Sequence, residues 1–122
     1  MGDKVLAILR ETMLHENAVE DLSFRPGTGE LVLTLLQPDD RFQYPDHELR
    51  LTFSGLRSLT VDGDVGLGED VLGITCEPAA GGYEAAVSVG DRGVPRWSLR
   101  LTFAGLRYRR STRIPGLRPD RP

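Results

Sequence analysis

The nine residues Leu49-Arg50-Leu51-Thr52-Phe53-Ser54-Gly55-Leu56-Arg57 recur fifty residues later as Leu99-Arg100-Leu101-Thr102-Phe103-Ala104-Gly105-Leu106-Arg107, identical at eight of nine positions. Within each copy Leu, Leu and Phe alternate with Arg and Thr, the two-residue period of a strand with one buried face. The repetition says that two strands occupy equivalent environments. The Gly that follows each Phe by two positions permits a bulge or a sharp turn. Two copies are too few for a solenoid, which needs about three repeats. A pseudo-symmetric sandwich or a strongly bent antiparallel sheet accommodates both.

The same period governs most of the chain. Leu22 and Phe24 alternate against Asp21 and Ser23 in Val19 to Phe24, which ends at the turn signal Arg25-Pro26-Gly27-Thr28-Gly29. Leu31 to Leu36 is apolar at almost every position, as in a strand buried on both faces, and completes a hairpin. After the polar loop Gln37 to Asp46, His47 to Phe53 alternates, and Leu59 and Val61 resume the pattern beyond Gly55. Val71 to Cys76 and Tyr83 to Val89 form a second hairpin around Pro78 to Gly82; Arg96 to Phe103 places Trp97, Leu99, Leu101 and Phe103 on one face. Only Asp3 to Met13 has a helical period, with Val5, Leu6, Ile8, Leu9 and Met13 in one stripe and Lys4, Arg10 and Glu11 facing away. The expected fold is mainly β: an antiparallel sandwich or strongly bent sheet of about seven strands with one N-terminal amphipathic helix. Residues 1–110 form its single domain, and 111–122, with three prolines and no apolar period, a flexible Arg-containing tail.

A chain of 122 residues can bury a core without disulfide or metal support. Its uncharged apolar runs are far shorter than the roughly 20 residues of a spanning helix, so no membrane role is expected. The lone Cys76 cannot form an internal disulfide, and charges interrupt the apolar pattern near the N-terminus; a cytoplasmic protein is expected. The net charge of −3 hides an asymmetry: residues 91–122 carry nine Arg against Asp91 and Asp120, leaving 6 basic and 16 acidic residues in 1–90. A basic end is one mark of nucleic-acid binding, but the stacking aromatics or recognition helix that such binding uses are missing, and Trp97 and Phe103 fall on an apolar strand face. Nucleic acid is not the expected partner.

No nucleophile elbow, phosphate loop or His-Glu-x-x-His motif occurs. His15 and His47, with Glu16, Asp46 and Glu48, would make an acid/base or metal cluster only if folding gathered them; a turn-orienting His15 is the plainer reading. Asp62 to Asp70 opens like a calcium loop with Asp62-x-Asp64, yet Gly73 stands where the twelfth-position carboxylate belongs. It reads as an acidic inter-strand loop. Cys76 reads as a buried inert thiol, and Trp97 as a core anchor or, if exposed beside Arg96, a partner-binding hot spot.

Leu14-His15-Glu16 ahead of the first strand, and Leu-x-Phe-x-Gly-Leu closing two later ones, resemble small bacterial β-rich domains that include presumed immunity proteins of polymorphic toxin systems. Their usual forms are Leu-His-Asp and Phe-x-Gly-Val, from which Glu16, Leu56 and Leu106 depart conservatively. The resemblance implies a β-sandwich-like domain that acts by binding, and it transfers no catalytic residue. The expectation is a non-enzymatic protein-binding module without cofactor or metal, monomeric or homodimeric, whose partner is a protein such as a cognate toxin. Its candidate contact residues are Asp62, Asp64, Glu69, Asp70, Arg96 and Trp97. The competing expectation is a small enzyme or ligand-binding domain using His15, His47 and their neighbouring carboxylates.

Overall fold

A computed structural model describes residues 4–11, 17–37 and 47–112. The elements run α1 (Lys4–Glu11), β1 (Ala18–Arg25), β2 (Glu30–Gln37), β3 (His47–Ser54), β4 (Ser58–Gly63), β5 (Asp70–Ala79), β6 (Gly82–Asp91), β7 (Val94–Phe103) and β8 (Gly105–Thr112). The eight strands form one antiparallel sheet in the order β4-β7-β6-β5-β1-β2-β3-β8, which does not close into a barrel. The mainly β architecture with one short N-terminal helix is as the periodicity predicts, with one strand more. The addition is β8, whose inner face offers only Leu106 and Tyr108 before Arg110 breaks the alternation. Ser111 and Thr112 of the expected tail belong to β8, and 113–122 lie outside the described residues. Among the described residues no helix is long and apolar enough to cross a membrane.

The strand order has a hidden symmetry. Exchanging β1 with β5, β2 with β6, β3 with β7 and β4 with β8 returns the same order reversed. Each half is a three-strand meander whose fourth strand leaves to pair with the other half: β4 borders β7, and β8 borders β3. The echoed segments are these departures. Phe53 and Phe103 meet edge to face with centroids 4.9 Å apart, and the Ala104 amide donates to the Ser54 carbonyl (2.8 Å) where the two segments meet.

The halves join at β1 and β5 through the single pair Ala18–Asp70. The Val19 amide donates to the Glu69 carbonyl (2.7 Å) and the Val71 amide to the Asn17 carbonyl (2.9 Å), two bonds that the exchange interconverts. Beyond them each strand bulges at the same relative place, between Val19 and Asp21 and between Val71 and Gly73. A bulge puts an extra residue into the strand and shifts the pleat. Val19, Leu22 and Phe24 therefore share one face of β1, and Val71, Ile74 and Cys76 share one face of β5.

Both inner faces feed one core, including Leu31, Leu33, Leu35, Leu49, Leu51 and Phe53 from one half and Val87, Val89, Trp97, Leu99, Leu101 and Phe103 from the other. Helix α1 adds Val5 and Leu9, with Leu6 and Ile8 packed beside them; Met13 lies outside the described residues. Strand β2 is buried on both faces from Leu31 to Leu35, Val32 and Thr34 included, as a run apolar at almost every position predicts.

Candidate interaction surfaces

The predicted contact residues gather around the turn from β4 into β5. Trp97, opposite Gly63 of β4 and Val89 of β6, is only 2% exposed. Its indole N–H donates to the Gly66 carbonyl (3.3 Å), which lashes the loop 64–69 to β7. Gly63, at φ +91°, lies so close to the Arg96 carbonyl and the Trp97 backbone that a side chain there would collide. The Arg96 Nε stands 3.6 Å from the Glu69 carboxylate and ties the far end of the loop to the same strand. Trp97 thus takes the core-anchor reading: it fixes the loop and is too buried to touch a partner. Arg96, Asp62 and Asp64 are exposed, while Glu69 and Asp70 are half-buried.

Three exposed apolar side chains belong to the same neighbourhood in the topology: Val65 and Leu67 of the loop, and Val94 at the start of β7. A shallow depression of about 300 Å³ runs along Asp62, Ser88, Pro95, Arg96 and Ser98 with Trp97 at its base. Val65 and Leu67 were visible in the sequence as apolar residues inside a Gly/Asp loop. Their exposure could not be foreseen without knowing that Trp97 holds the loop by its backbone.

A second surface lies along the edge strand β8. A cleft of about 680 Å³ is walled by Lys4 and Ile8 of α1 and by Arg25, Arg50, Arg107, Arg109 and Tyr108, with Val32 and Thr52 also lining it. Glu30 stands 2.9 Å from Arg107 and 3.8 Å from Arg25, and Glu48 is 3.5 Å from Arg50. Of the Arg side chains that the C-terminal third brings to this cleft, Arg107 is set against a carboxylate of the first half, Glu30.

His47 opens β3, directly opposite Gln37 of β2. His15, Glu16 and Asp46 lie outside the described residues, so the convergence of the two histidines falls there as well. Among the described residues no group of three His, Cys, Asp or Glu side chains is arranged to hold a metal ion, the acidic loop included. Cys76 is buried, and its carbonyl accepts from Arg10 of α1. No protein-family model matches this sequence, and no curated protein matches it.

Proposed function

We propose that this protein is a non-catalytic, cytoplasmic protein-binding module whose partner is a toxin that it neutralises by covering it. The observation that carries the reading is the mount of the acidic loop. Val65 and Leu67 are held in water beside Asp62 and Asp64 by a loop that Trp97 and the Arg96–Glu69 pair fix to the sheet. Apolar side chains kept exposed on a rigid support, rimmed by charge, are what a binding surface offers: area to desolvate and little ordering entropy to lose. The carboxylates favour a partner with a basic patch, such as a nuclease toxin, and would speed encounter more than they tighten the complex.

The test is co-expression with the product of the adjacent upstream gene. The expected result is a stable complex and protection from that product. Leu67→Asp should weaken the complex by about tenfold or more, as for a buried anchor, and Asp62→Lys with Asp64→Lys should slow association most at low salt. A toxin that neither binds the protein nor is neutralised by it would end the immunity reading.

A further inference from the structure

The outer face of β2, β3 and β8 gathers cations around one hydroxyl. Register sets Val32, Thr52 and Arg107 side by side across the three strands, and Thr34, Arg50 and Arg109 side by side in the next row of the same face. Directly opposed residues of neighbouring strands stand about 5 Å apart, and alternate residues of one strand about 7 Å apart. Thr52 is therefore the centre of an arc formed by Arg50, Arg107 and Arg109. Arg25 of β1 and Lys4 of α1 stand on the wall of the same cleft, whose volume of about 680 Å³ is that of a small-molecule site.

The charge in this cleft is not balanced. Its cations Lys4, Arg25, Arg50, Arg107 and Arg109 meet two carboxylates: Glu30, which Arg25 and Arg107 share, and Glu48, 3.5 Å from Arg50. Among the described residues no carboxylate pairs with Lys4 or Arg109. Arg50 and Arg109 are cross-strand mates, and like charges directly opposed are unfavourable. The floor is unfinished in the same sense. Thr52 is 8% exposed, and among the described residues its hydroxyl has no hydrogen-bond partner. A buried hydroxyl without a partner is costly, and this one lines the cleft.

We infer that the cleft binds a small phosphate-bearing anion, with the Thr52 hydroxyl donating to one oxygen and the forks of Arg50, Arg107 and Arg109 gathered on the others. A phosphate offers several acceptor oxygens and more than one negative charge, which suits five cations against two carboxylates better than a single carboxylate ligand would. Ile8, Leu106 and Tyr108 add an apolar wall for the organic part of a phosphoester. The undescribed segments join the sheet elsewhere: 12–16 leads into Asn17 ahead of β1, 38–46 links Gln37 to His47, and 113–122 follows Thr112, which pairs with His47. All three joins lie at the end of these strands remote from Arg25, Glu30 and Arg107. The segment 113–122 also carries three Arg against one Asp, the wrong sign to fill a cationic cleft. The cleft shares no lining residue with the depression over Trp97, so this inference goes beyond the protein-binding reading and either survives the loss of the other.

The probes are pyrophosphate and ADP, each titrated calorimetrically into the full-length protein at about 0.15 M salt, where a Debye length of about 8 Å suppresses a diffuse ion atmosphere. The expected result is saturable binding of one equivalent that Arg109→Ala weakens by about tenfold. Arg109 is exposed, so that variant keeps its fold, and an unchanged thermal midpoint verifies it. Thr52→Val keeps the shape and removes the hydroxyl. It should weaken binding about threefold or more without lowering the thermal midpoint, because the hydroxyl bonds to the ligand and not to the protein. ADP bound more tightly than pyrophosphate assigns the site to organic phosphoesters held by the apolar wall, and the reverse order assigns it to inorganic phosphates; both support the inference. Absence of saturable binding up to about 1 mM, near the weak limit of specific recognition, overturns it. So does binding indifferent to Thr52→Val, and so does a midpoint that Thr52→Val lowers, which would mean that the hydroxyl is held within the chain. Affinity raised about tenfold by Asp39→Asn with Asp40→Asn would make the chain's own segment 38–46 the occupant and overturn it as well. A single-stranded oligonucleotide bound more tightly than ADP, and lost with salt as counterion release dictates, would make this face a nucleic-acid surface and remove the small-anion site.

Discussion

The first and second halves of the sheet are built on one strand plan, and they differ where the plan meets the rest of the chain. At the centre, Phe53 and Phe103, mates in the sequence echo, touch. Away from it, α1 packs on β5 and β8, whereas among the described residues no helix covers β1, where Phe24 is 51% exposed. Burial of a Phe or Leu side chain stabilises by about 1.5–3 kcal/mol, so Phe24 contributes only part of what the buried Phe53 and Phe103 do.

The largest test of the comparison is at its centre. Phe53→Ala and Phe103→Ala should each cost about 3–5 kcal/mol in urea unfolding, as deletions of fully buried rings do. Phe103 also stacks on Tyr83, with centroids 5.6 Å apart at 26°, whereas the residue opposite Phe53 on β2 is Leu31. Phe103→Ala should therefore lose about 0.5–1.5 kcal/mol more, and the double variant should fall short of the sum because the two sites share a contact. A loss at Phe53 below about 1 kcal/mol, the cost typical of an ordinary substitution, would mean that the crossing is not the keystone of the fold.

The crossing glycines come next. Gly55 has φ +64°, and a Cβ placed on it would stand 2.6 Å from the Ala104 Cβ. Gly105 has no positive φ, and a Cβ there would meet the Ser54 Oγ at 3.1 Å, an atom able to rotate aside. Gly55→Ala should cost about 1–3 kcal/mol from left-handed strain and the collision, and Gly105→Ala less than about 1 kcal/mol. Equal losses would show that the two crossings are conformationally alike, contrary to the backbone.

This difference also explains what was legible in the sequence. The echo announced two equivalent strands and the alternation announced their inner faces, because a two-residue period follows directly from the pleat. The swap of β4 and β8 was not legible, because pairing partners are set by long-range packing that no local pattern encodes. A second echo did lie in the sequence. Val19-x-x-Leu22-x-Phe24 and Val71-x-x-Ile74-x-Cys76 share a three-then-two spacing that a bulge produces, but the residue identities differ and the period appears merely broken. The echo of 49–57 stops at Arg107 for a related reason. Strand β4 pairs with β7 one residue out of step with the way β8 pairs with β3, which sets Leu59 rather than Ser58 opposite Leu101, while Tyr108 faces Leu51. A one-residue slip exchanges the faces, so the apolar positions of β4 and β8 no longer align in sequence. Of the candidate surface, the acidic loop was legible from composition. The role of Trp97 was not, since whether an aromatic on an apolar face meets solvent or a loop backbone depends on what the loop does. The exposure of Phe24 was hidden altogether, because in sequence Phe24 looks like any other inward strand residue.

The smallest effect is the most diagnostic of how far the symmetry reaches into chemistry. Arg57 and Arg107 are echo mates, and each extends to a hairpin: Arg57 donates from Nη1 to the Ala80 carbonyl in the β5–β6 turn (3.0 Å), and Arg107 reaches the Glu30 carboxylate beside the β1–β2 turn (2.9 Å). Both side chains brace a crossover against a turn, but one finds a neutral acceptor and the other a charge. Arg107 is 71% exposed, so solvent and counter-ions screen its pair, and Arg107→Ala should cost no more than about 1 kcal/mol at low salt. Near 1 M salt, where the Debye length is about 3 Å, most of that loss should vanish. Arg57→Ala should cost about 0.5–1 kcal/mol, the net worth of one hydrogen bond, and largely keep that value as salt is added. Urea unfolding of the two variants across a salt series separates them. Parallel salt responses would mean that the crossovers are braced by the same force, and that the two halves diverged only where α1 packs.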